Sequence, residues 1–218
     1  MVANSTIVLV NRTLATLISG LMEPIFRLKL KFDLERLRGE ISRLEEDIPF
    51  EKDCQQIALT HRPLAASPFY DGVGSLYDLT TGAPLGEESD FFEFNAKLNG
   101  WYIHEVYKTI KSEFPELGRV RLMGLRPKSC LSVHRDTGFR LHVPIVSGKQ
   151  CFMIYQDSGL VHMPADGHAY LADTIKPHSA MNGHADFRRV HMVFSINNAD
   201  AEYFEQTRER LGLGTLGG

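Results

Sequence analysis

Four polar side chains interrupt an apolar stretch, "SVHRDTGFRLHVPI", at residues 132–145. His134 and Asp136 are two residues apart, and so are Arg140 and His142. Burying such groups without partners is costly in free energy. These side chains therefore either pair with one another or hold something that is not protein.

His134 and Asp136 have the residue types and the spacing of metal ligands. Residues i and i+2 of an extended strand project from the same face, so both side chains can reach one ion. Imidazole is the commonest metal ligand in proteins, and carboxylate is its natural anionic companion around a divalent ion. The pair alone is a weak signal, because a surface ion pair or a turn produces the same pattern.

Residues nearer the C terminus strengthen the metal interpretation. His178 lies in "DTIKPHSAMN", just after the strand-like run "HAYLAD", and a double arginine opens the last run, "RRVHMVFSI". Two histidines and one carboxylate on one face, with the remaining positions open, make the facial triad of non-haem Fe(II) oxygenases. An arginine nearby supplies a bidentate clamp for a carboxylate co-substrate.

The segments "LRPKSCLSVHRDTGFRLHVPI", "GHAYLADTIKPHSAMN" and "RRVHMVFSI" resemble the aspartyl/asparaginyl β-hydroxylase-like group of Fe(II)/2-oxoglutarate dioxygenases, which includes free amino acid hydroxylases. The resemblance covers roughly residues 119–196 and implies a double-stranded β-helix, a cupin-like jelly roll. It implies three iron ligands and several co-substrate contacts. The implied ligands are His134, Asp136 and His178, the implied partner of the distal carboxylate of 2-oxoglutarate is Arg189, and the implied contacts at its other end are Arg140 and His142.

Two positions complicate the resemblance to this group. Met123 stands where some members of the group place a serine, so one expected co-substrate contact is absent or replaced. Arg188 competes with Arg189 for the clamp, because a slip of one residue reverses the face of a strand. The register of "RVHMVF" favours Arg189.

The other histidines are candidates for structural roles. His162, His168 and His184 lie in or beside predicted turns, where an exposed or hydrogen-bonded imidazole is the ordinary outcome. His191 shares a strand face with Arg189, so it could support the site, although a structural role is favoured.

These residues belong to a series of closely spaced strand-like runs between residues 119 and 196. Such spacing, with turn signals between the runs, favours an antiparallel sandwich or barrel over βαβ units. Upstream, apolar residues recur at intervals of three and four over residues 34–48 and 103–114, which predicts two helices ended by Pro49 and Pro115. The predicted fold is α+β and mainly β, a jelly roll supported by N-terminal helices. The predicted units are a helical segment at residues 1–50 and a dioxygenase domain at residues 51–218.

Composition limits the classes of partner. The chain has 218 residues, is 43% hydrophobic and has a net charge of −3, which indicates a globular domain without an electrostatic footprint for nucleic acid or membrane. A small-molecule substrate is expected, and a homodimer through the first helix is left open. Three scattered cysteines without a CxxC motif favour a reducing cytoplasm. The apolar stretch at residues 6–26 is interrupted by Asn11 and Arg12, so it is expected to be soluble and not a signal or membrane helix.

The sequence therefore predicts an Fe(II)- and 2-oxoglutarate-dependent hydroxylase that acts with O2 on a free amino acid or another small molecule. One alternative is a cupin-like metalloenzyme that does not use 2-oxoglutarate, against which Arg189 argues. The other is a non-catalytic jelly-roll binding protein in which the histidines and the aspartate form only a hydrogen-bonded cluster.

Overall fold

The computed structural model describes residues 23–197 and 200–213. The strands in these ranges are β1 (Ile25–Lys31), β2 (Gln56–Ala58), β3 (Thr60–His61), β4 (Glu93–Phe94), β5 (Leu117–Leu125), β6 (Ser129–Cys130), β7 (Phe139–Val146), β8 (Cys151–Tyr155), β9 (Gly159–Val161), β10 (His168–Ala172), β11 (His178–Asn182) and β12 (Arg189–Ile196). The α-helices are α1 (Leu34–Asp47), α2 (Tyr102–Glu113) and α3 (Ala201–Leu211).

The strands form two main antiparallel sheets. The larger sheet has six strands in the order β1-β10-β7-β12-β5-β2, and the smaller has four in the order β6-β11-β8-β9. From β5 onwards the chain passes back and forth between the two sheets, as it does in a double-stranded β-helix. The predicted cupin-like jelly roll is confirmed.

The central strands β7 and β12 of the six-stranded sheet are buried on both faces. Every residue of β12 is buried, and so is every residue of β7 except the last. Alternate side chains such as Leu141, Val143 and Met192 join the large apolar core that also includes residues of the helices. Each such side chain stabilises the fold by roughly 1.5–3 kcal/mol through burial.

The opposite face of this sheet, which we call the inner face, turns towards the four-stranded sheet. Leu125 and Tyr170 from the larger sheet pack there against Met153 and Ala180 from the smaller one. Side chains alternate along a strand, so the residues between those that join the large apolar core point to the inner face. They include the unexpected polar ones of the sequence, namely Arg140, His142, Arg189 and His191, all of which are buried.

Both predicted helices are present. Helix α1 begins after Asp33, whose side chain accepts hydrogen bonds from two backbone N–H groups of the first turn. Its apolar stripe, Leu37, Ile41 and Leu44, is buried in the main core of its own chain. Helix α3 was not predicted, and its Phe204 packs at 5.0 Å, between ring centroids, from Phe26 of β1.

The predicted helical segment at residues 1–50 is only partly helical. Its residues 25–31, "IFRLKLK", form β1, which pairs with β10 at the edge of the six-stranded sheet. These residues alternate between apolar and charged types, the pattern of a half-buried edge strand. Residues 1–22, which hold most of the apolar stretch, lie outside the described residues. Among the described residues, no helix is both long and apolar enough to cross a membrane.

Candidate active site

The side chains of His134, Asp136 and His178 lie together between the two sheets. Each offers one ligand atom, and these atoms all lie within 4.8 Å of one another. His134 and Asp136 belong to the connection from β6 to β7, and His178 is the first residue of β11. Two backbone hydrogen bonds of 2.9 Å join His134 to His178, one in each direction. This isolated antiparallel bridge holds the two imidazoles side by side.

Hydrogen bonds select the tautomer of both neutral imidazoles. Nδ1 of His134 lies 2.8 Å from the carbonyl oxygen of Ser132, and Nδ1 of His178 lies 3.0 Å from that of Lys176. A carbonyl oxygen only accepts, so each Nδ1 carries a proton, and in the neutral imidazole the lone pair is then on Nε2. Burial also lowers the pKa of His178. In their neutral form both side chains therefore present Nε2 to a metal ion.

Asp136 is oriented by its backbone and by an arginine. Its N–H donates to the carbonyl oxygen of Thr174 at 2.9 Å. Nη2 of Arg140 lies 3.1 Å from Oδ1 of Asp136 and 2.8 Å from Oε1 of Glu88. The other oxygen, Oδ2, lies 3.8 Å from Nε2 of His178. Arg140 thus holds one carboxylate oxygen and leaves the second beside the imidazoles, while its own contact with a co-substrate stays a prediction.

Glu88 is a buried carboxylate that the sequence did not single out. Arg119 binds it in a bidentate manner, with Nε at 2.8 Å and Nη2 at 3.0 Å from its two oxygens. Burial raises the pKa of Glu88, but attraction to Arg140 and Arg119 outweighs this and holds the pKa at about 2. Glu88 is therefore ionised at neutral pH and joins two arginines on the inner face.

A cavity of about 790 Å³ opens onto the candidate metal ligands. This volume lies in the range of pockets that bind small molecules. The cavity is lined by all three candidate ligand residues and by side chains of the inner face, including Arg121, Met123, His142 and Arg189. It has room for more than one small ligand.

Arg189 enters this cavity without a carboxylate partner. It is buried, its Nε has no hydrogen-bond partner, and among the described residues it forms no ion pair. Burial lowers the pKa of Arg189 to about 10, so it stays cationic at neutral pH. Arg188 points away from the cavity, with its Nη1 at 2.5 Å from Oε1 of Glu45. The alternation of β12 therefore brings Arg189, and not Arg188, to the site.

Two buried histidines adjoin Arg189. Nη2 of Arg189 lies 3.0 Å from Nδ1 of His191, which must accept because a guanidinium only donates. Nδ1 of His142 lies 3.4 Å from the same nitrogen, whose single lone pair already accepts from Arg189, and Nε2 of His142 has no hydrogen-bond partner among the described residues. Burial, and next the charge of Arg189, keep the pKa of both histidines well below the usual value, so both are neutral. The predicted contact of His142 with the co-substrate stays a prediction.

The remaining candidate histidines lie outside the cavity. Nδ1 of His162 lies 2.8 Å from the carbonyl oxygen of Cys151, and Nδ1 of His168 lies 3.0 Å from that of Leu28. The ring centroid of His184 lies 3.9 Å from that of Phe187, with the two rings tilted by 33°. None of the three histidines lines the cavity.

Arg119 and Arg121 are cavity residues that sequence reasoning missed. Both lie on the inner face of β5 and are buried. The signal was present, since "GRVRLMGL" places charged residues at alternate positions of an apolar strand, as "FRLHVPIV" does. Gln56 of β2, next to β5, also lines the cavity.

No protein-family model matches this chain, and no curated protein sequence matches it. Among solved structures, the viral collagen prolyl hydroxylase of Paramecium bursaria Chlorella virus-1, in complex with 2-oxoglutarate, matches 80% of this chain and 97% of its own, with 8% identity and a TM-score of 0.44.

Two further solved structures show the range of the similarity. AviO1 from Streptomyces viridochromogenes matches 76% of this chain and 85% of its own, with 15% identity and a TM-score of 0.40. A cupin domain from Bordetella pertussis matches 36% of this chain and 80% of its own, with 20% identity and a TM-score of 0.32. All three TM-scores are below 0.5, so the functional argument rests on the side chains of the site.

Proposed function

We propose that this protein is an Fe(II)- and 2-oxoglutarate-dependent dioxygenase that hydroxylates a small molecule such as a free amino acid. One observation carries the proposal. The buried, unpaired guanidinium of Arg189 lines the same cavity as the cluster of His134, Asp136 and His178. An unpaired buried charge is costly to the fold, and a dicarboxylate co-substrate would remove that cost.

The three clustered residues fit a divalent iron. Nε2 of His134, Nε2 of His178 and one oxygen of Asp136 would hold it, and the hydrogen bonds at both Nδ1 atoms leave these Nε2 atoms free to coordinate. Three protein ligands on one face leave the other positions to small molecules. When bound, Fe(II) and 2-oxoglutarate would supply the reduction of O2, the release of CO2 and succinate, and the insertion of one oxygen atom into a C–H bond.

The chain itself supplies orientation and electrostatics. Arg189 would clamp the distal carboxylate of 2-oxoglutarate, and His191 holds that guanidinium at 3.0 Å. Arg140 neutralises Asp136 and fixes which of its oxygens faces the imidazoles. Arg189 is buried, so water screens its attraction to a carboxylate less than it would at the surface.

Anaerobic titration of 2-oxoglutarate into the Fe(II)-loaded protein tests the proposal. A visible charge-transfer band is expected when the keto acid chelates the iron. The protein loaded with Zn(II), which has a filled d shell and no redox chemistry, is the matched control and should show no band. Tight iron binding without a band would instead favour the cupin-like enzyme that does not use 2-oxoglutarate. Failure to take up any metal would favour the non-catalytic binding protein.

A further inference from the structure

Arg121 is a second buried guanidinium in the cavity that lacks a carboxylate partner. Its exposed fraction is 5%, and among the described residues it forms no ion pair. Nη1 donates to Oε1 of Gln56 at 2.9 Å and to the carbonyl oxygen of Gly74 at 3.4 Å. Its Nε is buried and has no hydrogen-bond partner. One edge of this guanidinium is therefore fixed by protein, and the Nε edge is unsatisfied.

Arg121 and Arg189 serve different parts of the cavity. In the register of β5 and β12, Arg121 lies opposite Val193, four residues along β12 from Arg189. Four residues of a strand span roughly 14 Å. Nη1 of Arg121 and Nη1 of Arg119 both donate to the carbonyl oxygen of Gly74, at 3.4 and 3.0 Å. Arg119 binds Glu88, and Arg140 contacts both Glu88 and Asp136. Arg121 thus belongs to the neighbourhood of the candidate metal ligand Asp136, apart from the arginine proposed for 2-oxoglutarate.

The cavity has more buried cations than anions. The buried carboxylate of Glu88 is shared by Arg119 and Arg140, and Arg140 also contacts the half-buried Asp136. Neither carboxylate forms an ion pair with Arg121. A divalent metal ion and the 2-oxoglutarate dianion would cancel each other in charge, so they would not supply the missing anion beside Arg121.

We propose that Arg121 binds a carboxylate group of the substrate, which makes the substrate of this enzyme a small carboxylic acid held beside the metal site. This inference rests on the proposed function. The Nε and Nη2 groups of a guanidinium form a planar fork that matches the two oxygens of a carboxylate. A phosphate dianion is a poorer fit, because Glu88 already occupies the neighbouring Arg119 and Arg140 and only one guanidinium is left unpaired here.

The charge state of Arg121 is compatible with this role. Burial, and next the repulsion from Arg119, lower the pKa of Arg121 to about 9, which still leaves it protonated at neutral pH. A bound carboxylate would stabilise the charged form and recover part of the cost of burial.

Calorimetric titration of acids and their matched amides tests the inference. The probes are L-proline, L-leucine and acetate, against L-prolinamide, L-leucinamide and acetamide. Each is titrated without oxygen into protein loaded with Fe(II) and 2-oxoglutarate. At least one acid should bind the wild type more tightly than its amide. Arg121→Gln should weaken that binding by roughly thirtyfold or more, because a desolvated charge pair is lost.

Two variants serve as controls. Arg121→Lys keeps the charge but not the fork, so its affinity for the acid should fall between those of the wild type and Arg121→Gln. It also keeps the test valid if Arg121→Gln does not fold. Arg188→Gln removes an arginine that pairs with Glu45 outside the cavity and should leave acid binding unchanged.

The charge-transfer titration separates the two proposals. Three results together support the inference. The wild type shows the band, Arg121→Gln binds 2-oxoglutarate as tightly as the wild type, and Arg121→Gln no longer binds the acid. If Arg121→Gln no longer binds 2-oxoglutarate, Arg121 binds the co-substrate and the inference is overturned. Acids that bind no better than amides, no acid binding at all, or Arg121-dependent binding of inorganic phosphate alone would overturn it while the proposed function stands. No band in the wild type would overturn the proposed function itself, and the inference with it.

Discussion

Nη2 of Arg189 lies 3.0 Å from Nδ1 of His191, two residues along the same strand and on the same buried face. The acceptor nitrogen of a neutral imidazole thereby orients a guanidinium that has no carboxylate partner among the described residues. Orientation before the ligand arrives lowers the entropy lost on binding. The contact with His191 therefore holds the guanidinium of Arg189 in one orientation, in which it can donate two hydrogen bonds to a dicarboxylate.

Arg189→Ala should weaken 2-oxoglutarate binding by roughly thirtyfold or more, because truncating one side of a desolvated charge pair costs on the order of 2–5 kcal/mol. Arg189→Lys should give an intermediate affinity. The measurement is the anaerobic charge-transfer titration, with iron content as the check that the metal site is intact. Arg188→Gln is the matched control. An unchanged titration in Arg189→Ala, with a loss in the Arg188 variant, would mean that the neighbour is the clamp.

His191→Leu should weaken 2-oxoglutarate binding by about tenfold, since it removes a hydrogen bond to a charged group. Iron binding should be unchanged. His191→Asn offers an amide oxygen near the position of Nδ1 and should recover part of the affinity, which a purely structural role would not explain. His184→Leu, at a histidine outside the cavity, is the control. Equal titrations for His191→Leu and the wild type would remove His191 from this positioning role.

The jelly roll and the residues of the candidate metal cluster were within reach of the sequence, because both follow from local patterns. Apolar alternation marked β5, β7 and β12, and the spacing of His134 and Asp136 reports an extended backbone. The structure places these two residues in a connection between strands, where a backbone bridge to His178 keeps the chain extended. The same-face argument therefore selected residues that the structure brings together, although they lie in a connection and not in a strand.

Glu88 could not be predicted in the same way. It lies in a short 3₁₀ turn, Glu88–Asp90, and reaches Arg119 and Arg140, which are 31 and 52 residues away in sequence. Such a contact depends on how a loop packs on the sheet. No periodic pattern of residue types in the sequence predicts it. Arg121 differs, because its alternation with apolar neighbours in β5 was readable from the sequence.

His178→Ala and His134→Ala should each abolish stoichiometric iron binding and turnover, because each removes one of three proposed ligands. Asp136→Ala should weaken iron binding, and His134→Ala should be the more damaging of the two. Iron content after gentle purification is the measurement, with His162→Ala as the control outside the cavity. If the His178 variant kept full iron occupancy while the His184 or His191 variant lost it, the ligand assignment would be wrong.

Gly138→Ala should weaken iron binding and lower the free energy of unfolding. A Cβ atom at Gly138 would collide with the carbonyl oxygen of Ile196 in β12, which is backbone and cannot move aside cheaply. The displaced segment follows directly on Asp136. Gly39→Ala, on the exposed side of α1 with nothing within 4 Å of the new Cβ, should instead stabilise the protein by about 0.5–1 kcal/mol. Denaturant unfolding and iron content distinguish the two, and equal behaviour of the two variants would contradict the packing argument.

Glu88→Gln should destabilise the protein at neutral pH and flatten its acid response. The pKa of Glu88 is lowered from 4.5 to about 2 in the folded state, so the wild type gains stability from this group above about pH 4.5 and loses it as the pH falls towards about 2. The contribution is roughly 3 kcal/mol, and removing the carboxylate also leaves Arg119 and Arg140 buried without this partner.

The measurement is the free energy of unfolding in denaturant at about pH 7 and at about pH 3. The difference between wild type and Glu88→Gln should be largest at the higher pH and shrink at the lower one, whereas Glu46→Gln, on the exposed face of α1, should follow the wild type at both. Parallel pH dependences for the wild type and Glu88→Gln would show that this carboxylate is not held ionised by its two arginines.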